Sequence, residues 1–317
     1  MSNVAGYDLI GDIHGHADEL RTLLGLLGYK EADGVYQHSE RQVVFLGDFI
    51  DRGPKIREVL AIARSMVGSG AALAVMGNHE FNALAFHTAD PKSPGVSLRP
   101  RHNKNIRQHA ATISQMSDSE LGDALEWFRT LPMWTEIQGP YSTSLRAVHA
   151  CWDDEQITCL SQATEHHGGV NAKFLADAME KDTPLFNAVE IVLKGKELPL
   201  PNGYSYRYEE GHKRIAIRAR WYEMPHAGML YQDYVLQADP IDCPVEIERA
   251  TCDGITAYPA EAEPVFVGHY WLRADQPQRL ASNVACLDYS VAKGGYLCAY
   301  RWDGERQLDN SKFTRTA

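Results

Sequence analysis

Tyr7-Asp8-Leu9-Ile10-Gly11-Asp12-Ile13-His14-Gly15 is an apolar run that stops at a glycine and passes straight into an acid and a histidine. The same grammar returns twice. Val43-Val44-Phe45-Leu46 runs into Gly47-Asp48-Phe49-Ile50-Asp51-Arg52-Gly53, and the run 71–76 runs into Gly77-Asn78-His79-Glu80. Between these runs lie stretches of helical period. Leu20, Leu23, Leu24 and Leu27 recur before Gly28, and Ile56, Val59, Leu60, Ile62 and Ala63 follow Pro54, which is read as a first-turn proline. Residues 80–86 read as helical again. Strand, helix, strand, helix, strand predicts a layered α/β domain.

The glycine-terminated strands carry the chemistry. In an open α/β sheet, ligands bind beyond the carboxyl ends of the strands, where all three loops must lie. In an extended Asp-x-His both side chains point the same way, so Asp12 and His14 can grip one ion. Carboxylate and amide oxygens mixed with imidazoles, without thiolate, suit divalent ions such as Mn, Fe, Co, Ni or Zn.

Outward from residue 87 the text is less regular. Ser117 and Glu120 form a capping box before a helix that Leu131-Pro132 ends. Residues 146–148 read as a strand leading to His149. Thr183-Pro184 opens a helix whose end is marked by Gly195. From Leu198-Pro199-Leu200-Pro201-Asn202-Gly203 the character changes, and runs 204–208 and 213–221 read as a β-hairpin around Glu210-Gly211. Strands are expected at 265–267, 284–287 and 296–300, the last two joined across Lys293-Gly294-Gly295.

Gly11 to Gly15 (GDIHG), Gly47 to Gly53 (GDFIDRG) and Gly77 to Glu80 (GNHE), in this order, resemble the three blocks of the calcineurin-like metallophosphoesterases, phosphoprotein phosphatase branch, bacterial type. The likeness is dense through 7–87 and resumes at Val148-His149-Ala150 and Val267-Gly268-His269-Tyr270. It implies a four-layer α/β/β/α sandwich with an inserted β-hairpin subregion, one domain over 1–317 with an insertion or cap over 195–260. It further implies two divalent ions, Mn²⁺ foremost, with Fe, Zn, Co or Ni as alternatives. Asp12, His14 and His269 would bind the first, Asp48 would bridge, and Asn78 and His149 would complete the second. His79 would protonate the leaving oxygen, Asp51 would orient it, and Arg52 would hold the phosphoryl oxygens, with direct transfer to a metal-bound hydroxide.

The block at His149-Ala150-Cys151 lacks the two glycines that follow the histidine in the eukaryotic enzymes. His166-His167-Gly168-Gly169 has them but follows no apolar strand, so His149 is the expected ligand. The main expectation for substrate is a phosphorylated protein, cleaved by a serine/threonine-type phosphomonoesterase. A dinucleoside tetraphosphate or nucleotide hydrolase is the alternative. A metal-binding scaffold without catalysis is the third reading, and the intact Asp51 and His79 pair argues against it.

Weaker signals surround these blocks. Arg214, Arg218 and Arg220 share one face of a strand by period two, and Arg218 and Arg220 are the expected second contacts to phosphate. Lys92, Arg99, Arg101, Lys104 and Arg107 read as a solvated loop that alternatively attracts a polyanion. Tyr204, Tyr206 and Tyr208 read as a packed strand face or a stacking surface. His16, His38, His87, His102, His109, His212 and His226 read as surface or core residues, and Glu80 as a helix cap or the orienter of a neighbour.

The chain has 317 residues, 31 Lys+Arg against 42 Asp+Glu, and a formal net charge of -11. No apolar run is long enough to span a bilayer, and the acidic balance makes nonspecific nucleic-acid binding unexpected. Six cysteines at irregular spacing fit reduced thiols, and the first residues lack a basic and apolar export pattern, so the cytoplasm is the expected compartment.

Overall fold

Gly6–Ile10, the strand that delivers Asp12 and His14, lies between two partners. Arg41–Phe45 runs parallel to it, with Ile10 opposite Phe45, and Tyr296–Trp302 runs antiparallel, with Tyr7 opposite Trp302. The structure, a computed structural model, describes residues 4–207, 213–236, 241–253 and 255–317. Ala72–Ala74 extends the first sheet on the parallel side, and Asp288–Tyr289 and Phe313–Arg315 both pair with Tyr296–Trp302. A second sheet has the order Val284–Cys286, Val265–Val267, Ser144–Val148, Trp134–Gln138. Its first three strands are parallel and its last is antiparallel.

The period of the strands sorts their side chains into layers. Leu9, Val44 and Leu46 of the first sheet share a buried cluster with Leu145, Ala147, Phe266 and Ala285 of the second. The alternate residues Ile10, Val43 and Phe45 turn to the other face, in the core that holds Leu20, Leu23 and Leu24 of Ala17–Leu26 and Val59, Ala63 and Met66 of Ile56–Ser69. Val265, Val267 and Val284 are buried there with Leu160, Phe174, Leu175, Val189 and Val192 of helices Asp154–His167, Ala172–Ala178 and Pro184–Lys194. This is the expected four-layer α/β/β/α sandwich. Strands buried on both faces read as unbroken apolar runs, which is why Val43 to Leu46 shows no alternation.

Several local expectations are corrected. The second helix begins at Ile56, with Lys55 as N-cap, so Pro54 precedes the cap. The Lys55 N–H is held by the Gly15 carbonyl at 2.9 Å, which ties the loop to the first motif and delays the helix. The strands at 284–287 and 296–300 do not form one hairpin. Val284–Cys286 belongs to the second sheet, and the chain crosses at Leu287 to place Asp288–Tyr289 against Tyr296–Trp302 in the first. The 204–221 hairpin is short, with Tyr206–Arg207 against Lys213–Arg214. Ala216–Arg218 instead pairs with Glu197–Pro199, because Ile217 and Ala219 bury into a small core with Leu198, Met229 and Tyr234. The turn at Glu210-Gly211 and Tyr208 lie outside the described residues. Trp221 and Leu236 join the main core and dock this region onto the sandwich.

The basic segment is corrected too. Residues Asn103–Gln115 are a helix, and Lys104 and Arg107 on it face a cleft instead of floating on a loop. The Ser117–Glu120 capping box and the Thr183 cap with Pro184 in the first turn are present as expected. No helix among the described residues is long and apolar enough to cross a membrane.

Candidate functional site

The three strand-end loops and the two later histidines meet at the carboxyl edge of the sheets. Asp48 is central. Its Oδ2 lies 3.6 Å from His14 Nε2 and 3.5 Å from His149 Nε2, while Asp12 Oδ2 lies 4.0 Å from His14 Nε2. Asn78 Oδ1 stands 3.0 Å from His149 Nε2 and 2.7 Å from His269 Nδ1. Two candidate ion-holding groups result, His14–Asp48–His79 and Asp12–Asp48–His149, each with donor atoms within 4.8 Å of one another and both containing Asp48. His269 belongs to neither group: its ring stands beside Asn78 and His149, while its backbone N–H reaches Asp12 at 3.1 Å. The decoy His166 and His167 end a helix capped by Gly168 and take no part.

Second partners aim these rings. His14 Nδ1 donates to the Ile50 carbonyl at 2.8 Å and His149 Nδ1 to the Leu46 carbonyl at 2.7 Å, which turns both Nε2 atoms toward Asp48. The backbone is bent for the purpose. Of eleven non-glycine residues with positive φ among the described residues, six are His14, Asp48, Asp51, Arg52, His269 and Trp271. Such conformations cost about 1–3 kcal/mol each and persist where function or packing over-determines them. At Gly268 a Cβ would overlap the Asp12 carboxylate, so only glycine lets the His269 N–H reach Asp12 at 3.1 Å.

Electrostatics test whether cations fit here. Asp12, His14, Asp48 and His149 are buried. Burial, and then Asp288, push the Asp12 carboxyl well above the usual range. Burial, and then the neighbouring His79, hold His14 well below its ordinary value. Burial alone would lower His149, but the Asp48 and Asp12 carboxylates push it up to about 10. A buried cluster in which an imidazole must take up a proton to offset its acids is short of positive charge. His14 Nε2 is in addition the one buried side-chain polar atom without a hydrogen-bond partner among the described residues. An orphaned imidazole nitrogen facing carboxylates, with oxygen donors and no thiolate, fits divalent ions.

His79 stands at the rim of this cluster. Its Nδ1 lies 2.5 Å from Asp51 Oδ2, which leaves Nε2 between the cluster and the residues around it, 3.9 Å from Asp48 Oδ2, 3.4 Å from Arg52 Nη2 and 3.4 Å from Gln108 Nε2. Asp51 is itself held. His109 Nδ1 lies 2.7 Å from its Oδ1, and the Thr112 hydroxyl lies 2.5 Å from the same oxygen. Burial alone would raise Asp51, yet hydrogen bonds from His109 and then His79 hold its carboxyl well below the usual range.

Spacing did not reveal His109 or Thr112, which face Asp51 from one turn of the 103–115 helix. The three-residue step between them was the available signal. Glu80 accepts from the N–H groups of Gly77 at 3.0 Å, Asp48 at 2.8 Å and Phe49 at 2.9 Å. It therefore caps and orients, as read from the sequence. Trp271, unremarked in the sequence, carries the Arg52 guanidinium 3.9 Å over its ring.

A cleft of about 1040 Å³ opens beside Arg52, His79 and His269. Arg218 lines it, hydrogen-bonded to the Gly195 carbonyl at 3.2 Å and paired with Glu197 at 3.0 Å. Arg220 is not among the lining residues. Its guanidinium turns to the Val235 carbonyl at 3.3 Å and Glu223 at 3.5 Å. Tyr206 reaches the cleft, whereas Tyr204 is exposed.

The profile of the calcineurin-like phosphoesterase family matches residues 7–225. An asymmetrical bis(5'-nucleosyl)-tetraphosphatase of Bacillus subtilis is 47% identical over 126 residues, 39% of this chain and 48% of the relative. A symmetrical bis(5'-nucleosyl)-tetraphosphatase of Hamiltonella defensa is 32% identical over 183 residues, 56% of this chain and 57% of the relative. The chain thus spans less than two thirds of the length of these curated relatives. A cold-active protein-tyrosine phosphatase of a psychrophilic Shewanella has a TM-score of 0.50 at 20% identity, covering 96% of this chain and 80% of that one, a likeness of fold alone.

Proposed function

The chain belongs to the calcineurin-like phosphoesterase family, hydrolases of phosphate esters, and from that footing we propose that it cleaves a nucleoside polyphosphate of the bis(5'-nucleosyl) tetraphosphate kind. This takes the place of the phosphoprotein substrate that the sequence blocks first suggested. The cleft carries the reading. Its volume of about 1040 Å³ matches the upper end of small-molecule sites and greatly exceeds the needs of one phosphoryl group. Among the described residues, Arg52, Arg99, Lys104, Arg107, Lys194, Arg214 and Arg218 line it against Glu190 and Glu197. A phosphoserine presents one phosphate to such a wall; a tetraphosphate chain presents several charges at once. The names of the curated relatives support the same substrate class.

In this reading His14 and Asp12 with Asp48 would hold one divalent ion, and Asp48, Asn78, His149 and His269 a second, Mn²⁺ first among them. When bound, such ions supply Lewis-acid polarisation of the phosphoryl group and activation of water at neutral pH. Arg52 presents its planar fork to the non-bridging oxygens, steadied by Trp271 beneath it. His79 carries the proton on Nε2 and delivers it to the departing oxygen, while Asp51 offsets the charge of the imidazolium. The 195–260 region acts as an insertion within one domain and borders the cleft through Glu197, Tyr206, Arg214 and Arg218.

The test compares kcat/KM of purified protein with Mn²⁺ on diadenosine tetraphosphate, a phosphoserine and phosphothreonine peptide panel, and p-nitrophenyl phosphate. The tetraphosphate is expected to lead the peptides by at least about a hundredfold, a difference worth roughly 2.7 kcal/mol in transition-state binding. Peptides turned over as well as the tetraphosphate would return the assignment to a phosphoprotein phosphatase. Absence of turnover on every ester by metallated protein would leave only a binding scaffold.

A further inference from the structure

We propose that the cleft-facing side of the Asn103–Gln115 helix, together with Arg99 just before it, is the subsite for the phosphates on the leaving side of the scissile bond. The inference rests on the nucleoside-polyphosphate reading above and deepens it: the enzyme reads phosphates beyond the one it attacks.

Helical spacing builds the wall. Lys104, Arg107, Gln108 and Ala111 recur at three- and four-residue steps and all line the cleft. The adjoining face of the same helix carries His109 and Thr112, which grip Asp51. One element therefore both supports the partner of the acid and presents cations beside it.

The direction of the leaving group follows from His79. Its Nε2 has Gln108 Nε2 at 3.4 Å, and Gln108 Oε1 in turn accepts from Arg99 Nη2 at 2.9 Å. In the hydrolytic step the bond from phosphorus to its bridging oxygen breaks, and that oxygen takes the proton from His79 Nε2. The oxygen of water bonds to phosphorus and releases its proton to solvent. A group departing at His79 Nε2 has the Gln108–Arg99 pair immediately beside it, with Lys104 and Arg107 on the same wall.

Charge compensation separates this wall from the other cations. Lys194 pairs with Glu190, and Arg214 and Arg218 pair with Glu197. Among the described residues, Arg99, Lys104 and Arg107 form no ion pair with a carboxylate. Arg99 hydrogen-bonds to the amide oxygens of Asn82 and Gln108, and Arg107 Nε to the Asn103 carbonyl. In a chain of net charge -11, carboxylates abound, yet none among the described residues forms an ion pair with these three cations. The first turn of the helix also lacks an acid and holds Lys104, where the helix dipole disfavours positive charge. A bound polyanion reverses that penalty. Linked phosphates supply closely spaced negative charges along a line, which matches cations one helical turn apart.

The experiment uses inorganic tripolyphosphate and orthophosphate as competitive inhibitors of p-nitrophenyl phosphate hydrolysis at constant free Mn²⁺. In the parent protein the inhibition constant of tripolyphosphate is expected to lie at least about tenfold below that of orthophosphate. In Lys104→Ala/Arg107→Ala the gap is expected to shrink to under about threefold, with Lys104→Arg keeping most of it. A gap absent from the parent, or retained by the folded double variant, overturns the subsite. Lys104→Glu/Arg107→Glu gives a second measure, because reversed charge must widen the loss if the contact is electrostatic. Failure of the parent to hydrolyse diadenosine tetraphosphate with the gap intact would sink the substrate assignment and leave the subsite standing.

Discussion

His109 Nδ1 meets Asp51 Oδ1 at 2.7 Å across 58 residues of sequence, and Thr112 Oγ1 reaches the same oxygen at 2.5 Å from the next turn of the helix. The Thr112 hydroxyl also accepts the Asp51 backbone N–H at 3.0 Å. Asp51 is thereby fixed before it meets His79. Thr112→Val keeps the shape and removes both hydrogen bonds, so the carboxylate loses its aim. With general acid catalysis worth about a hundredfold or more, kcat is expected to fall roughly tenfold while KM stays within about twofold. Thr112→Ser restores the hydroxyl and most of kcat. Steady-state kinetics on p-nitrophenyl phosphate decides the matter, and a pure KM effect would contradict the positioning role.

Glu80 joins the second and third motifs through four backbone N–H groups, those of Gly77, Asp48, Phe49 and Ile50. Glu80→Ala leaves those donors buried without acceptors, at about 1–3 kcal/mol for each. A loss of at least about 3 kcal/mol is expected from urea unfolding at unchanged slope, and Glu80→Gln, which keeps one acceptor oxygen, should lose clearly less. Equal midpoints for Glu80→Ala and the parent would show that these bonds are replaced by water.

These two networks mark where the sequence was readable. The ligand loops were legible because glycine-ended apolar runs in a layered α/β chain force their following residues to one sheet edge, as Gly11, Gly47 and Gly77 do. His149 and His269 come to the same sheet edge because each lies just beyond the end of a strand of the second sheet. The support of Asp51 was not legible, since His109 and Thr112 come from a helix whose place depends on tertiary packing. Lys104 and Arg107 failed for the same reason: a basic run says nothing about which face of a helix looks into a cleft. Arg220 is absent from the cleft lining because the period-two pattern does not continue as an unbroken strand. Ala216–Arg218 ends before it, and the following residues bend into the small core around Tyr234. Arg218, still on the strand, reaches the cleft.

Gly268 gives a sharper test of the candidate ion cluster than replacing a ligand. A Cβ there would overlap the Asp12 carboxylate, with His149 also nearby, so Gly268→Ala must push Asp12 from its place without removing any donor. Activity is expected to drop at least about a hundredfold, the scale seen when a catalytic group is misplaced by an ångström. Metal content after gel filtration should fall in parallel. Full metal content with parent-like turnover would show that the backbone yields and that the close approach is not required.

The pH dependence of stability has a local contributor in His87. Its Nε2 lies 3.1 Å from His109 Nε2, and His109 already gives its Nδ1 proton to Asp51. A proton on both Nε2 atoms would set N–H against N–H. Burial, and then the His109 and Arg101 charges, pull His87 from 6.5 down to about 4. Its folded value lies below its unfolded one, so the folded state binds fewer protons there. The associated stability is present above about pH 6.5 and is lost as pH falls toward 4. The partly exposed ring moderates the size of the effect but not its sign. The urea midpoint should therefore fall between pH 7 and pH 5, and His87→Gln should make that fall smaller. An unchanged fall in the variant would assign the acid sensitivity to other groups.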